Sequence, residues 1–289
     1  MTAGRARLQL VVTAVLFSTG GAAIKSAAFD AWQVAGLRSA VAAAVLLAVA
    51  PEARKLSPRL LPIAATYAAT LILFVTANKL TTAANAIFLQ SAAPIYLVAL
   101  GPLVLREPVT RRDLVLLALM GQGLVLVMTG QEPPARTAPD PLLGNTLAVL
   151  SGVMWAGTIT ALRWLGRQPG GGAGPGIAAV SAGNLVAALV CLPVGWPVGA
   201  ATPADWLAIG YLGTVQIAIA YLLMTRGLRH VPALEASMLL LIEPVLSPVW
   251  AWVVHGERPG AGALAGGALI LAATALHALL QRRAAPGAA

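Results

Sequence analysis

Charge is what this chain most lacks. Of its 289 residues only 10% are charged, while 58% are hydrophobic. A soluble domain carries about 25% charged residues, so there are too few here to cover a water-facing surface. Cysteine is nearly absent too: Cys191 stands alone in an apolar run, which excludes an internal disulfide and a thiolate metal cluster. The three histidines (His230, His255, His277) are scattered at the edges of apolar runs and make no metal site. There is no GxxxxGK[ST] phosphate loop to power a nucleotide-driven pump. Nor is there a Ser-His-Asp set or a pair of acids at depth, as an intramembrane enzyme would need; Glu243 is the only mid-span acid. No cofactor and no metal are called for.

What the chain does have is apolar runs about 20 residues long, the length a helix needs to cross the hydrocarbon core. Ten can be read, with limits near Leu8–Ala28, Ala31–Ala50, Leu60–Asn78, Ala83–Leu105, Leu114–Gly130, Leu142–Leu165, Ile177–Trp196, Trp206–Thr225, Ala233–Val254 and Ala261–Leu280. The first lacks a small-residue cleavage site and leads straight into the second, so it reads as a retained helix. The fold class is an all-α polytopic membrane protein. Loops are short, and two are linker-like: Gln131–Pro141 is polar and Pro-rich, and Gln168–Gly176 is nearly all Gly and Pro.

A net charge of +9 would suggest nucleic acid in a soluble protein, but here the basic residues sit between spans. With the N-terminus inside, the cytoplasmic set is Arg5, Arg7, Arg54, Lys55, Arg59, Arg106, Arg111, Arg112, Arg163, Arg167, Arg226, Arg229, Arg282 and Arg283; the opposite set is Lys79, Arg136 and Arg258. Fourteen against three places both termini in the cytoplasm. The partners expected are a lipid bilayer and a small solute, not nucleic acid, with a monomer as the simplest unit.

A shift of 150 positions lays Ala83 on Ala233, Pro94 on Pro244, Glu107 on Glu257 and Leu114 on Leu264 without a gap. The chain therefore reads as two repeats, residues 1–130 and 142–289, joined by a 131–141 linker. Five spans per repeat is odd, so the second enters the membrane upside down, the inverted architecture of secondary transporters. Pro94 and Pro244 each fall 11 residues into their span, about 16 Å deep at 1.5 Å per residue. Each is a candidate hinge, or simply bends its helix to fit a neighbour.

Several residues together resemble the EamA family of the drug/metabolite transporter superfamily. They are Lys25 and Arg38; Gly144 with Trp155-Ala156; Ala220-Tyr221-Leu222 with Arg226-Gly227-Leu228; Glu243-Pro244; Gly256-Glu257-Arg258; and Gly266 with Leu269-Ile270. The first half departs from the pattern, with Ala93 before Pro94 and Ser18-Thr19-Gly20 where many relatives have Trp-Gly. The resemblance implies an inner-membrane exporter of small metabolites. Amino acids, aromatic ones among them, are the first class on resemblance to the YddG kind; drugs, nucleosides and sugar-phosphate-like metabolites are the alternatives.

Helical spacing gives the candidate solute contacts. Polar and aromatic residues share faces on spans 1, 3, 4, 6, 8 and 9: Ser18; Tyr67, Thr70 and Phe74; Asn85 and Tyr96; Trp155 and Thr158; Tyr211; Glu243 and Ser247. They could line a central cavity, although small polar residues also glue membrane helices together. Lys25 and Arg38 fall in the outer half of spans 1 and 2, where snorkelling or pairing with Asp30 is expected. Glu243 must be protonated, paired (Lys25 or Arg38 being nearest in depth), or exposed to a watery cavity.

Overall fold

The structure, a computed structural model, describes residues 3–93, 95–96, 111–130, 135–166, 173–227, 230–231 and 239–284. The helices are α1 (Ala3–Ser18), α2 (Gly20–Ser26), α3 (Ala31–Val49), α4 (Leu61–Leu80), α5 (Ala83–Gln90), α6 (Arg111–Thr129), α7 (Pro141–Gly166) and α8 (Ala173–Val194). After them come α9 (Pro203–Tyr211), a π-helical stretch (Leu212–Ile219), α10 (Ala220–Gly227), α11 (Ile242–His255) and α12 (Ala261–Ala284). The one β pairing among the described residues is an isolated bridge between Ala135 and Ala138, in the linker. By length and composition, six described helical stretches can cross a membrane. α1–α2 form span 1 and α9–α10 form span 8, while α5 and α11 hold the described helix of spans 4 and 9.

Burial departs from that of a soluble protein: an apolar core is present, but many large apolar side chains face outward and several polar ones are enclosed. Leu8, Val115, Leu189, Leu207 and Val253 are exposed, while Thr13, Asn78, Asn145, Thr158 and Asn184 are buried. Apolar side chains outside and polar ones inside is what a lipid solvent selects. The exposed Trp32, Trp164, Trp196, Trp206 and Trp252 fit interfacial anchoring. Trp250 is held inward instead, its indole N–H donating to Ser18 Oγ at 2.9 Å.

The helices start where capping chemistry places them. Asp30 caps α3 by accepting from Gln33 N, while the Gln33 side chain accepts from Asp30 N, a reciprocal box. Thr202 and Asp205 repeat the device at α9, and Asp205 Oδ1 also accepts from Ala28 N at 2.7 Å. α11 ends at Gly256 in the left-handed region (φ 68°), where a side chain would be strained. That turn carries Glu257 back into the bundle, where it is buried.

The packing has a pseudo-twofold pattern. Span 2 packs on span 7, span 4 on span 9 and span 5 on span 10; span 3 meets span 6 as span 8 meets span 1, and span 3 meets span 7 as span 8 meets span 2. Each of these contacts has its counterpart under exchange of the halves, as expected of ten spans built as two inverted five-helix repeats. α6 and α12 approach closest through glycine: a Cβ on Gly123 would lie 2.7 Å from Gly266 O, and one on Gly130 would lie 2.6 Å from Gly262 Cα.

The spans that meet at the centre are broken. α5 ends in a turn at Ser91–Ala92, and a turn at Leu241 precedes α11. These positions are 150 residues apart, each three residues before the proline of its repeat. Pro244 is the third residue of α11 and is buried; so early in the helix its missing N–H forfeits no intrahelical bond. Pro94 lies outside the described residues. Two further irregularities, at Thr19 in span 1 and in the π-helical stretch of span 8, have no counterpart in the periodicity of the sequence.

Candidate functional site

The four irregular segments surround one cavity of about 90 Å³. Phe17 reaches it from beside the break at Thr19, Gln90 from the end of α5, Gln216 from the π-helical stretch and Glu243 from the first turn of α11. Arg38 from α3, Thr70 and Phe74 from α4, Trp155 from α7 and Tyr221 from α10 complete the wall. Discontinuous helices at mid-depth bring unspent backbone groups and polar side chains to a solute, and π segments concentrate at such places. The volume is below the roughly 300–1,000 Å³ of typical ligand sites, so the cavity is contracted in this conformation.

The polar groups on this wall are sparsely satisfied. Arg38 is 2% exposed; its Nη2 donates to Leu71 O at 3.5 Å, the limit of a hydrogen bond, and its Nε has no partner among the described residues. Gln216 Oε1 is likewise unpartnered. Gly20 leaves room for that side chain, since a Cβ there would lie 2.7 Å from Gln216 Nε2. Glu243 forms no ion pair and no hydrogen bond with any described residue. Its place in the first turn of α11 sets it near the positive end of the helix dipole. By contrast, Gln90 is fixed: its Nε2 donates to Ser151 Oγ at 2.8 Å, which donates to Thr70 O at 3.1 Å.

Of the residues singled out in the sequence, Thr70, Phe74, Trp155 and Glu243 meet on this wall. Tyr67 stands one layer back, its ring 5.5 Å from that of Tyr221 and its OH 3.4 Å from the Asn184 amide. Ser18 and Ser247 are buried in spans 1 and 9, which pack together. Thr158 donates to Met154 O within its own helix, and Tyr211 OH lies 2.8 Å from Thr19 Oγ1. Tyr96 is half-buried. Asn85 lines a second cavity, of about 270 Å³, at the end of the bundle where α2 and α11 finish.

Lys25 and Arg38 are placed differently from the sequence expectation. Neither meets Asp30, which is occupied as a helix cap. Lys25 Nζ lies 2.8 Å from Glu257 Oε1, with the side chains 3% and 4% exposed. Lys25 also donates to the carbonyls of Thr81 and Thr137, and Glu257 Oε2 accepts from Ala83 N at 2.9 Å. Around this knot, His255 Nε2 lies 2.8 Å from Ala22 O and Lys79 donates to Ala27 O at 2.6 Å. One buried ion pair thus joins span 1, the loop after span 9, the start of span 4 and the linker. Arg38 does not snorkel either: it turns inward onto the central cavity.

Comparison with known proteins returns one family model, the EamA-like transporter family, matched by residues 5–129 and again by 142–279. A protein of Streptantibioticus cattleyicolor described as a probable terminal-alkyne amino-acid exporter is 33% identical over 136 residues, 45% of this chain and 46% of that one. The aromatic amino acid exporter YddG of Ancylobacter novellus is 30% identical over 168 residues, 57% of each. These two matches therefore span about half the length of the relatives. The pseudopaline exporter CntI of Pseudomonas aeruginosa is 26% identical over 92% of this chain and 93% of its own. A solved crystal structure at 22% identity superposes with a TM-score of 0.64 over 98% of this chain and 99% of that one, a likeness of fold.

Proposed function

Because the chain belongs to the EamA-like transporter family, we propose that it is a secondary transporter exporting small metabolites, amino acids first, by alternating access through the central cavity. One observation carries this reading: Arg38, Glu243, Gln216 and the rings of Trp155, Phe74 and Tyr221 converge where the broken spans of the two repeats meet. Aromatic faces hold an amphipathic solute, and a few aimed polar groups orient it. The relatives named as amino-acid exporters support the same class.

The charge count favours the cytoplasmic membrane with both termini inside, and residues 1–130 and 142–289 are the two repeats, joined by the 131–141 linker. The Lys25–Glu257 end then faces outward, and its ion pair is the closed outer gate. Pro94 and Pro244, each three residues after a turn in the sequence, serve as hinges. Tyr67, Tyr211, Thr158, Ser18 and Ser247 back the wall, and Asn85 and Tyr96 come into contact with solute as the gate opens. The family and the exporter names of the relatives favour a transporter over an intramembrane enzyme. Uptake into proteoliposomes across amino acids, nucleosides, sugar phosphates and cationic drugs, with and without a pH gradient, tests this. Saturable movement of at least one amino acid is expected; movement of none would overturn it.

A further inference from the structure

A guanidinium and a carboxyl group face the central cavity without pairing. Arg38 and Glu243 share its wall, yet neither pairs with the other or with any described side chain. An isolated charge at this depth is costly, so a solvated or ligand-bearing partner is needed on each side. The guanidinium has unspent donors in the planar fork that matches a carboxylate, and Glu243 supplies acceptors for an ammonium. The rings of Trp155, Phe74 and Tyr221 line the same cavity.

We infer that this cavity reads zwitterions. Arg38 receives the α-carboxylate, Glu243 receives the α-ammonium, and the aromatic wall takes the side chain. This rests on the transport reading above and adds its selectivity rule. An amine leaves Arg38 unpaired, a carboxylic acid leaves Glu243 unpaired, and a neutral solute leaves both, so each is rejected by an unmet charge more than by shape. A charge-assisted hydrogen bond is worth enough that loss of either terminus weakens binding by about 10- to 100-fold.

The test is binding of tritiated L-phenylalanine to purified full-length protein in nanodiscs, competed by phenethylamine and by 3-phenylpropionate. A parallel set uses alanine, ethylamine and propionate. On the wild type the amino acid should compete about 10- to 100-fold better than either analogue. Arg38→Gln should erase the preference over phenethylamine while keeping that over phenylpropionate; Glu243→Gln should do the reverse. Folding of each variant is checked by gel filtration and thermal melting. Where one fails, the wild-type ranking with Arg38→Lys and Glu243→Asp decides instead: each should shrink the preference at its own terminus only. Equal competition by all three compounds on the wild type overturns the zwitterion rule and leaves amino-acid transport standing. Equal weakening of all three by both substitutions makes the pair structural and also overturns it. Binding of no amino acid, in a protein that carries another class in the uptake panel, overturns the transport reading and the rule together.

Discussion

Replacing Glu257 by glutamine keeps the size of the side chain and removes its charge. In the structure the carboxylate sits 2.8 Å from Lys25 Nζ with both side chains almost fully buried. Removing one member of a buried pair costs about 3–5 kcal/mol, because the remaining charge is stranded. Here Lys25 keeps the carbonyls of Thr81 and Thr137, and the amide can still accept from Ala83 N. The loss therefore falls at the low end, about 3 kcal/mol, and only in the conformation with this end shut. That shifts the open–shut equilibrium about 100-fold towards open. Ala263 lines the cavity at this end and is 3% exposed. In a Cys191→Ala background, Ala263→Cys should react with a membrane-impermeant maleimide up to about 100-fold faster once Glu257→Gln is added. Lys25→Met should act in the same direction. Unchanged labelling in both, with melting temperatures held, would refute the gate.

Trp155→Ala should cut amino-acid uptake at least 10-fold with folded yield unchanged, because the ring faces the cavity; Tyr67→Ala should lower the melting temperature, since its ring is 1% exposed behind the wall. Gly266→Leu should abolish folded protein on size exclusion, since a Cβ there already lies 2.4 Å from Gly123 O. Cysteines at Thr110 and Gly260 in the Cys191→Ala background should label from opposite sides of the membrane; labelling from one side would overturn the inverted topology.

The fold was legible because lipid imposes simple rules: long apolar runs, short basic loops, and a repeat that shows in its punctuation. The shared register of Pro94 and Pro244 pointed to mid-span breaks, and turns stand at Ser91–Ala92 and Leu241. The site was legible only in part. Trp155, Thr70, Phe74 and Glu243, which line one cavity, stood out because aromatic and polar residues at mid-depth are rare in apolar helices. Arg38 was not, because α3 is apolar around its whole circumference and nothing in the spacing says which side faces inward. The Lys25–Glu257 pair joins residues 232 positions apart, which helix periodicity cannot register. Gln216 depends on the π-helical stretch, which rotates the faces of span 8 away from their regular phase.

The central claim is that solute passes through an outer gate that must open. Lys25→Cys with Glu257→Cys, in the Cys191→Ala background, can be bridged across that gate by a short, cleavable bis-thiol reagent in proteoliposomes. Amino-acid counterflow should stop on bridging and return on cleavage, while the same reagent leaves each single-cysteine protein active. Counterflow at full rate through the bridged protein would contradict it.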